Sequence, residues 1–251
     1  MALLPLISAS KLRTATDLIL DKAERVLSAP AAARVRYALA NRDYFYPFGT
    51  AMNGQTARLE AVRQIMFRCG IRQIVETGTF RGTTTEWLAD FGWPVASIES
   101  NITNYHFSKL RLQRKPNVRV EFGSSVDVLP KFPGQMDTSL PTFFYLDAHW
   151  ENYLPLRDEM RFILGSFSAP VILIDDFQVP GEDGYSYDDY GPGKALTTEY
   201  LADCLPAEAM LFYPSTPSCQ ETGWRRGWIV VAPNPQIGRL LENITLLRRQ
   251  V

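Results

Sequence analysis

The stretch Gln73-Ile-Val-Glu-Thr-Gly-Thr-Phe-Arg-Gly-Thr-Thr-Thr-Glu-Trp87 decides how this chain folds. A short apolar run ends in a carboxylate, Glu76, breaks at Gly78-x-x-x-Gly82, and continues into residues that suit a helix start. The reading is a strand, a tight turn and a helix. Glycine lets the backbone turn through positive φ and lets a ligand approach where a Cβ would block it. Thr83, Thr84 and Thr85 offer hydroxyls where a helix leaves N–H groups free. A small molecule with a carboxylate or phosphate fits such a turn. The next apolar run, Pro94-Val-Ala-Ser-Ile-Glu99, ends in a second carboxylate about twenty residues on, where doubly wound sheets grip a nucleotide ribose.

Working outward, apolar runs at 73–76, 95–99, 118–122, 142–147 and 171–175 are separated by segments of helix length. That alternation predicts βαβ units and a parallel sheet. The last third differs: runs at 210–213 and 227–232 are joined by a connection rich in Pro, Ser, Thr and Gly, which predicts a hairpin-like pair at the sheet edge. The expected class is α/β, a doubly wound, mostly parallel seven-stranded sheet with an antiparallel edge strand, over residues 71–251. Residues 1–70 are expected to form a helical cap or extension, which could make a homodimer contact. Helical spacing brings Leu12, Leu18, Ile19, Val26 and Leu27 to one side, with Pro30 interrupting the run. The aromatic segment 41–49 then either packs the cap or touches substrate, and a helix is expected over 55–68.

At 251 residues, 46% hydrophobic and 21% charged, the chain can bury one full core without dividing. A formal net charge of −1 gives no general field to attract nucleic acid or an anionic membrane surface. A small-molecule partner is expected, with no nucleic acid and no membrane. Cys69, Cys204 and Cys219 are odd in number and scattered, with no Cys-x-x-Cys pair, and read as reduced, mostly buried thiols. The apolar opening residues lack a basic leader, so a cytoplasmic protein is expected. The sequons at Asn101 and Asn243 carry no weight, and the basic run Lys109, Arg111, Arg114, Lys115 reads as a solvated helix face.

Over roughly residues 70–233, with Glu76-Thr-Gly78-Thr-Phe-Arg-Gly82-Thr and Glu99 carrying the likeness, the chain resembles the Rossmann-like (class I) methyltransferases that use S-adenosylmethionine. The resemblance implies that Glu76, Gly78 and Gly82 line the methionine part of the cofactor, with Thr79 and Thr83 in the same turn, and that Glu99 binds both ribose hydroxyls. The chemistry agrees, since a carboxylate accepts two hydroxyl donors at once and Glu76 would offset a sulfonium or ammonium charge. Gly123-Ser124-Ser125 matches where that family contacts adenine, although small polar residues there are also ordinary helix caps. A nicotinamide dehydrogenase is the rival reading. It needs Gly-x-Gly-x-x-Gly to lay a pyrophosphate on the helix start, and here Thr79 and Phe80 occupy the turn.

Ligands of open α/β sheets gather at the carboxyl ends of the strands. The fourth run ends Leu146-Asp147-Ala-His149 and the fifth ends Ile174-Asp175-Asp176. Clustered carboxylates cost stability unless a cation neutralises them, and Mg2+ prefers such oxygen donors. This constellation resembles the metal-dependent small-molecule O-methyltransferases, including those acting on sugars of macrolide antibiotics. The resemblance implies Asp147, Asp175 and Asp176 as metal ligands, Asp147 beside the cofactor, and His149 as general base. The metal would lower the pKa of the acceptor hydroxyl, His149 would take its proton, and the oxygen would attack the methyl carbon in line.

Plainer readings stand beside each role. His149 would be a hydrogen-bonding loop residue, Asp176 a turn cap, and Asp175 a metal-free partner of a substrate hydroxyl. Glu151 and Asn152 are either helix caps or substrate contacts, and His106 reads as structural. The segment 177–193 is too long for a simple connection. It either covers the site, with Tyr185, Tyr187, Asp188, Asp189 and Tyr190 suited to a sugar, or is a surface loop. Arg225 or Arg226 would face an anionic substrate or build the edge turn. The expected function is transfer of a methyl group from S-adenosylmethionine to a hydroxyl of a small molecule, a sugar or secondary metabolite. The alternatives are a metal-independent methyltransferase on another acceptor, or a non-catalytic cofactor-binding or interaction module.

Overall fold

The apolar runs become strands β1 (Gln73–Thr77), β2 (Val95–Glu99), β3 (Val118–Phe122), β4 (Thr142–Leu146) and β5 (Pro170–Asp175), followed by β6 (Met210–Pro214), β7 (Trp228–Ala232) and β8 (Leu247–Arg249) in a computed structural model. It describes residues 22, 25–39, 50–149 and 154–250; Leu12, Leu18, Ile19, the 41–49 segment, Glu151 and Asn152 lie outside the described residues. The helices are α1 (Ala29–Leu39), α2 (Thr56–Arg68), α3 (Thr83–Ala89), α4 (Ile102–Arg111), α5 (Ser125–Val128), α6 (Leu156–Ser166), α7 (Thr198–Leu201) and α8 (Pro235–Leu241). None of the described helices is long and apolar enough to cross a membrane.

The strands form one sheet in the order β3-β2-β1-β4-β5-β7-β6-β8. The first five pair in parallel, and β7 runs antiparallel between β5 and β6. One strand more than the expected seven is present, because β8 adds antiparallel to the outer side of β6. Its three residues, Leu247-Arg-Arg249, are too few and too charged to show a strand period. The chain order reverses on either side of β1, which sits between β2 and β4, and such a point opens a crevice at the strand ends.

Side chains alternate between two cores, as a pleated strand requires. Val75, Ile98, Phe144, Leu146, Ile172 and Ile174 face α6 through Leu156, Met160 and Ile163. Ile74, Val95, Phe143, Tyr145, Val171 and Leu173 face α2, α3 and α8, where α2 contributes Ala61, Val62, Ile65 and Met66. The helix at 56–68, assigned by sequence to the extension, thus shares the core of the sheet. Pro30 lies in the first turn of α1, where a missing N–H costs nothing, and the break in helix falls just before it at Leu27 and Ser28. Helix α1 docks on α4, with the Tyr37 and Phe107 rings 5.4 Å apart edge to face.

Candidate active site

Gly78 is where β1 meets the end of β4. Its φ is +88°, and a Cβ there would lie 2.1 Å from the Asp147 carbonyl oxygen. Only glycine lets the two strand ends close so tightly, which sets the Asp147 backbone against the turn. The amides of Gly78 and Thr79 both donate to the Ile98 carbonyl at 3.0 Å, tying the turn to β2. Gly82 takes a φ of +77° at the start of α3, packed on Ser108 and Leu112 of the neighbouring segment. The three threonines were expected to cap the helix, and instead each hydroxyl leaves it. Thr83 accepts from Arg111 at 2.9 Å, Thr84 from the Met52 amide at 3.1 Å, and Thr85 donates to Glu76. Arg111 of the basic run is therefore turned inward.

Glu76 is fully buried and accepts from Ser97 at 2.5 Å as well as from Thr85, while its Oε1 has no hydrogen-bond partner. Burial pushes its pKa up to about 7 against the restraint of those two hydroxyls. Glu99 accepts from the Phe80 amide at 2.6 Å and the Asn101 amide at 2.7 Å, one on each carboxylate oxygen. Burial raises it to about 6. Each Glu99 oxygen keeps lone-pair capacity for a further donor, as a vicinal diol requires. Thr79 shares a 2.5 Å hydrogen bond with Ser97. Ser124 sits at the N-cap of α5 without a side-chain cap bond, and Ser125 is buried beside Glu159, a carboxyl that burial pushes up to about 7.

At the rim, Asp147, His149 and Asp176 come together, their ligand atoms all within 4.8 Å of one another. The His149 side chain is 2% exposed, and its Nε2 lies 3.9 Å from oxygens of Asp147, Asp176 and Asp188 without a hydrogen bond. Burial lowers the His149 pKa and keeps the ring neutral despite Asp188 and Asp175. Loss of water, then the charges of Asp175 and Asp176, hold the Asp147 carboxyl well above the ordinary range. Asp176 has a φ of +53°, a left-handed turn that breaks away from β5. Arg226 binds both Asp176 and Asp188. A small cleft opens beside Gly78, Thr79, Thr83, Tyr145, Asp147 and Asp175.

Asp175 is placed differently from its expected part in a metal set. Strand alternation puts it on the face of Val171 and Leu173, toward α2. There Arg58, with no exposed surface, holds it at 2.7 Å, and Tyr145 donates to it. Burial alone would raise the Asp175 carboxyl, but Arg58 and the Tyr145 and Asp176 hydrogen bonds hold it below the ordinary range. Asn53 adds a 3.5 Å contact from a turn, Ala51–Gly54, in which Met52 and Asn53 have positive φ. Sequence reading missed Arg58, Tyr145 and Asn53. A signal existed for Arg58, since it shares the buried face of α2 with Ala61, Val62 and Ile65 at helical spacing.

The 177–193 segment is tied down. Phe177, Val179 and Tyr185 are buried in the core, and backbone hydrogen bonds run from Asp188 to Asp176, from Leu196 to Asp188 and from Ser186 to Arg225. Tyr185 faces the core, while Tyr190 donates to Asp188. Arg225 is exposed, and His106 packs its ring against Tyr105 on α4. The cysteines are free, with Cys219 alone among them exposed.

No family model and no curated protein sequence matches the chain. Solved structures do. The chain is similar to an O-methyltransferase from Bacillus cereus in complex with SAH, at 19% identity and a TM-score of 0.53, covering 86% of this chain and 97% of that one. It is similar to an O-methyltransferase of Streptomyces achromogenes involved in tomaymycin synthesis, in complex with SAM, at 15% identity and a TM-score of 0.55, covering 91% and 100%. A SAM-bound amino pentose methyltransferase of Micromonospora echinaspora calicheamicin biosynthesis aligns at 16% identity and a TM-score of 0.50, covering 79% and 96%. The chain thus shares the overall fold of these solved O-methyltransferases.

Proposed function

We propose that this chain transfers the methyl group of S-adenosylmethionine to a hydroxyl of a small polyhydroxylated molecule, such as a sugar, with help from a divalent cation. The observation that carries the reading is one cleft lined by the Gly78 turn together with Asp147 and Asp175. The cofactor fits the residues present. Glu99 offers a carboxylate with spare lone pairs for a ribose diol, and the unpartnered, buried Oε1 of Glu76 suits the positive methionine end. The fold relatives bound to SAM or SAH support that donor, and the amino pentose methyltransferase among them supports a sugar-like acceptor.

The cation also fits. Two donors held at about 2.1 Å from one Mg2+ stand at most about 4.2 Å apart; the His149 Nε2 lies 3.9 Å from oxygens of Asp147 and Asp176, and the whole set, within 4.8 Å, would close slightly around an ion. Asp147, His149 and Asp176 would hold the ion. Bound there, it would lower the pKa of an acceptor hydroxyl and fix its oxygen. The chain's own part is positioning: Gly78 sets Asp147 beside the methyl donor, and Arg58 keeps Asp175 ionised on the cleft wall. A second reading has its own observation. A neutral, unpartnered Nε2 ringed by carboxylates can itself take the hydroxyl proton, and those carboxylates would stabilise the imidazolium formed.

Calorimetry tests the donor. S-adenosylmethionine should bind, Glu99→Ala should abolish binding, and tight binding of NADH instead would sink the claim. Chelator tests the cation: loss of turnover with recovery on adding Mg2+ supports it, and full turnover in chelator leaves His149 as the base.

A further inference from the structure

We infer that the segment after β5 completes the cation site through Asp188, which presents a third carboxylate to the ion held by Asp147, His149 and Asp176. This rests on the cation reading above. Asp188 is remote in sequence from the strand ends, yet its Oδ2 lies 3.9 Å from the His149 Nε2, as do oxygens of Asp147 and Asp176. The imidazole nitrogen they surround is buried and unpartnered, so the cluster converges on a vacant donor and is not merely an exposed acidic patch.

Arg226 explains how Asp188 is aimed. Its Nε binds Oδ1 of Asp176 and its Nη2 binds Oδ1 of Asp188. The outer oxygens of both carboxylates are thereby occupied, and the Oδ2 atoms are left facing His149. Tyr190 donates to the same Asp188 Oδ2 and the Asp188 amide donates to the Asp176 carbonyl at 2.9 Å, which fix the side chain from two more directions. Arg226 lies two residues before β7, its backbone bridged to Ser186 and its guanidinium 5.7 Å from the Trp224 ring. Asp189, one residue on, is exposed and accepts from the Gly191 amide at 2.9 Å. Of the acids in this segment, Asp188 is the one built into the site.

The consequence is a coupling between cation and segment, because an ion held by Asp188 fastens residues 177–193 over the rim. The test is Mn2+ binding to the full chain without cofactor, read by calorimetry and by electron paramagnetic resonance of free Mn2+. Asp188→Asn should weaken Mn2+ at least tenfold, while Asp189→Asn should leave affinity within twofold of wild type. Hydrogen exchange on the wild-type chain needs no variant: Mn2+ should slow exchange at the Asp188 and Leu196 amides at least threefold. Wild-type affinity that Asp147→Asn removes but Asp188→Asn leaves within twofold would overturn this inference alone, as would exchange unchanged by Mn2+. Failure of wild type to bind Mn2+ at all would overturn the cation reading with it.

Discussion

Replacing Arg58 by methionine tests whether the floor of the cleft is held by a buried ion pair. The guanidinium has no exposed surface, lies 2.7 Å from Asp175, and sits 5.5 Å and 5.8 Å from the Tyr145 and Trp228 rings. Methionine keeps much of the volume and none of the charge, so Asp175 is left as a carboxylate in a site 2% exposed. Removing one partner of such a pair costs ~3–5 kcal/mol, whereas replacing both by neutral groups is far less damaging. Arg58→Met should therefore destabilise by ~3–5 kcal/mol, a large part of the ~5–15 kcal/mol of a whole domain. The double variant Arg58→Met with Asp175→Asn should recover at least ~2 kcal/mol of that, because a neutral amide is cheaper to bury than an unpaired charge. Urea unfolding followed by tryptophan fluorescence measures each corner of the cycle, with Trp228 reporting from beside the site. A single variant costing under ~1 kcal/mol, or a double variant as unstable as the single, would refute the reasoning.

Other outcomes follow from the same geometry. Gly78→Ala places a Cβ 2.1 Å from the Asp147 carbonyl at a φ of +88°; a cost of ~2–5 kcal/mol is expected from left-handed strain plus overpacking. Gly70→Ala, at a φ of +59° with nothing within 4 Å, should cost only the strain, and equal losses in thermal unfolding would contradict this account. Glu76 has its carboxyl raised by burial from 4.5 to about 7, so the folded chain binds the extra proton. Its contribution is complete below the unfolded value and is lost as pH rises through 7. Glu76→Gln should thus gain ~2–3 kcal/mol relative to wild type between pH 5 and pH 8 in the cofactor-free chain, and a pH-independent difference would count against it. Arg226→Gln removes the clamp on Asp176 and Asp188, so limited proteolysis within 177–193 should run at least tenfold faster. An unchanged cleavage rate would mean that backbone hydrogen bonds alone hold the segment.

The strands, their parallel pairing and the glycine turn were legible in the sequence because each follows from a local signal. Apolar runs of strand length bounded by turn residues can be read locally, and Glu76, Gly78 and Glu99 fall at strand ends where a turn must follow. The antiparallel β6 and β7 were equally legible, while β8 was hidden by its brevity. The rim was legible in composition but not in partnership. Asp175 and Asp176 look alike as neighbours in sequence, yet the pleat sends the first toward Arg58 and a left-handed backbone turns the second toward His149.

The sequence by itself determined where the chain turns and which residue types reach the carboxyl end of the sheet, since those follow from period and from the φ that glycine permits. Tertiary structure alone decided which acids meet. Arg58 comes from a helix 117 positions before Asp175, and Arg226 from a strand edge 38 positions after Asp188. Contacts at such separations depend on how α2 and β7 pack against the sheet, and no local pattern encodes them. The Gly78 turn is thus set by its own backbone geometry, while the grouping of acids around His149 exists only once the segments bearing Asp176 and Asp188 close on it.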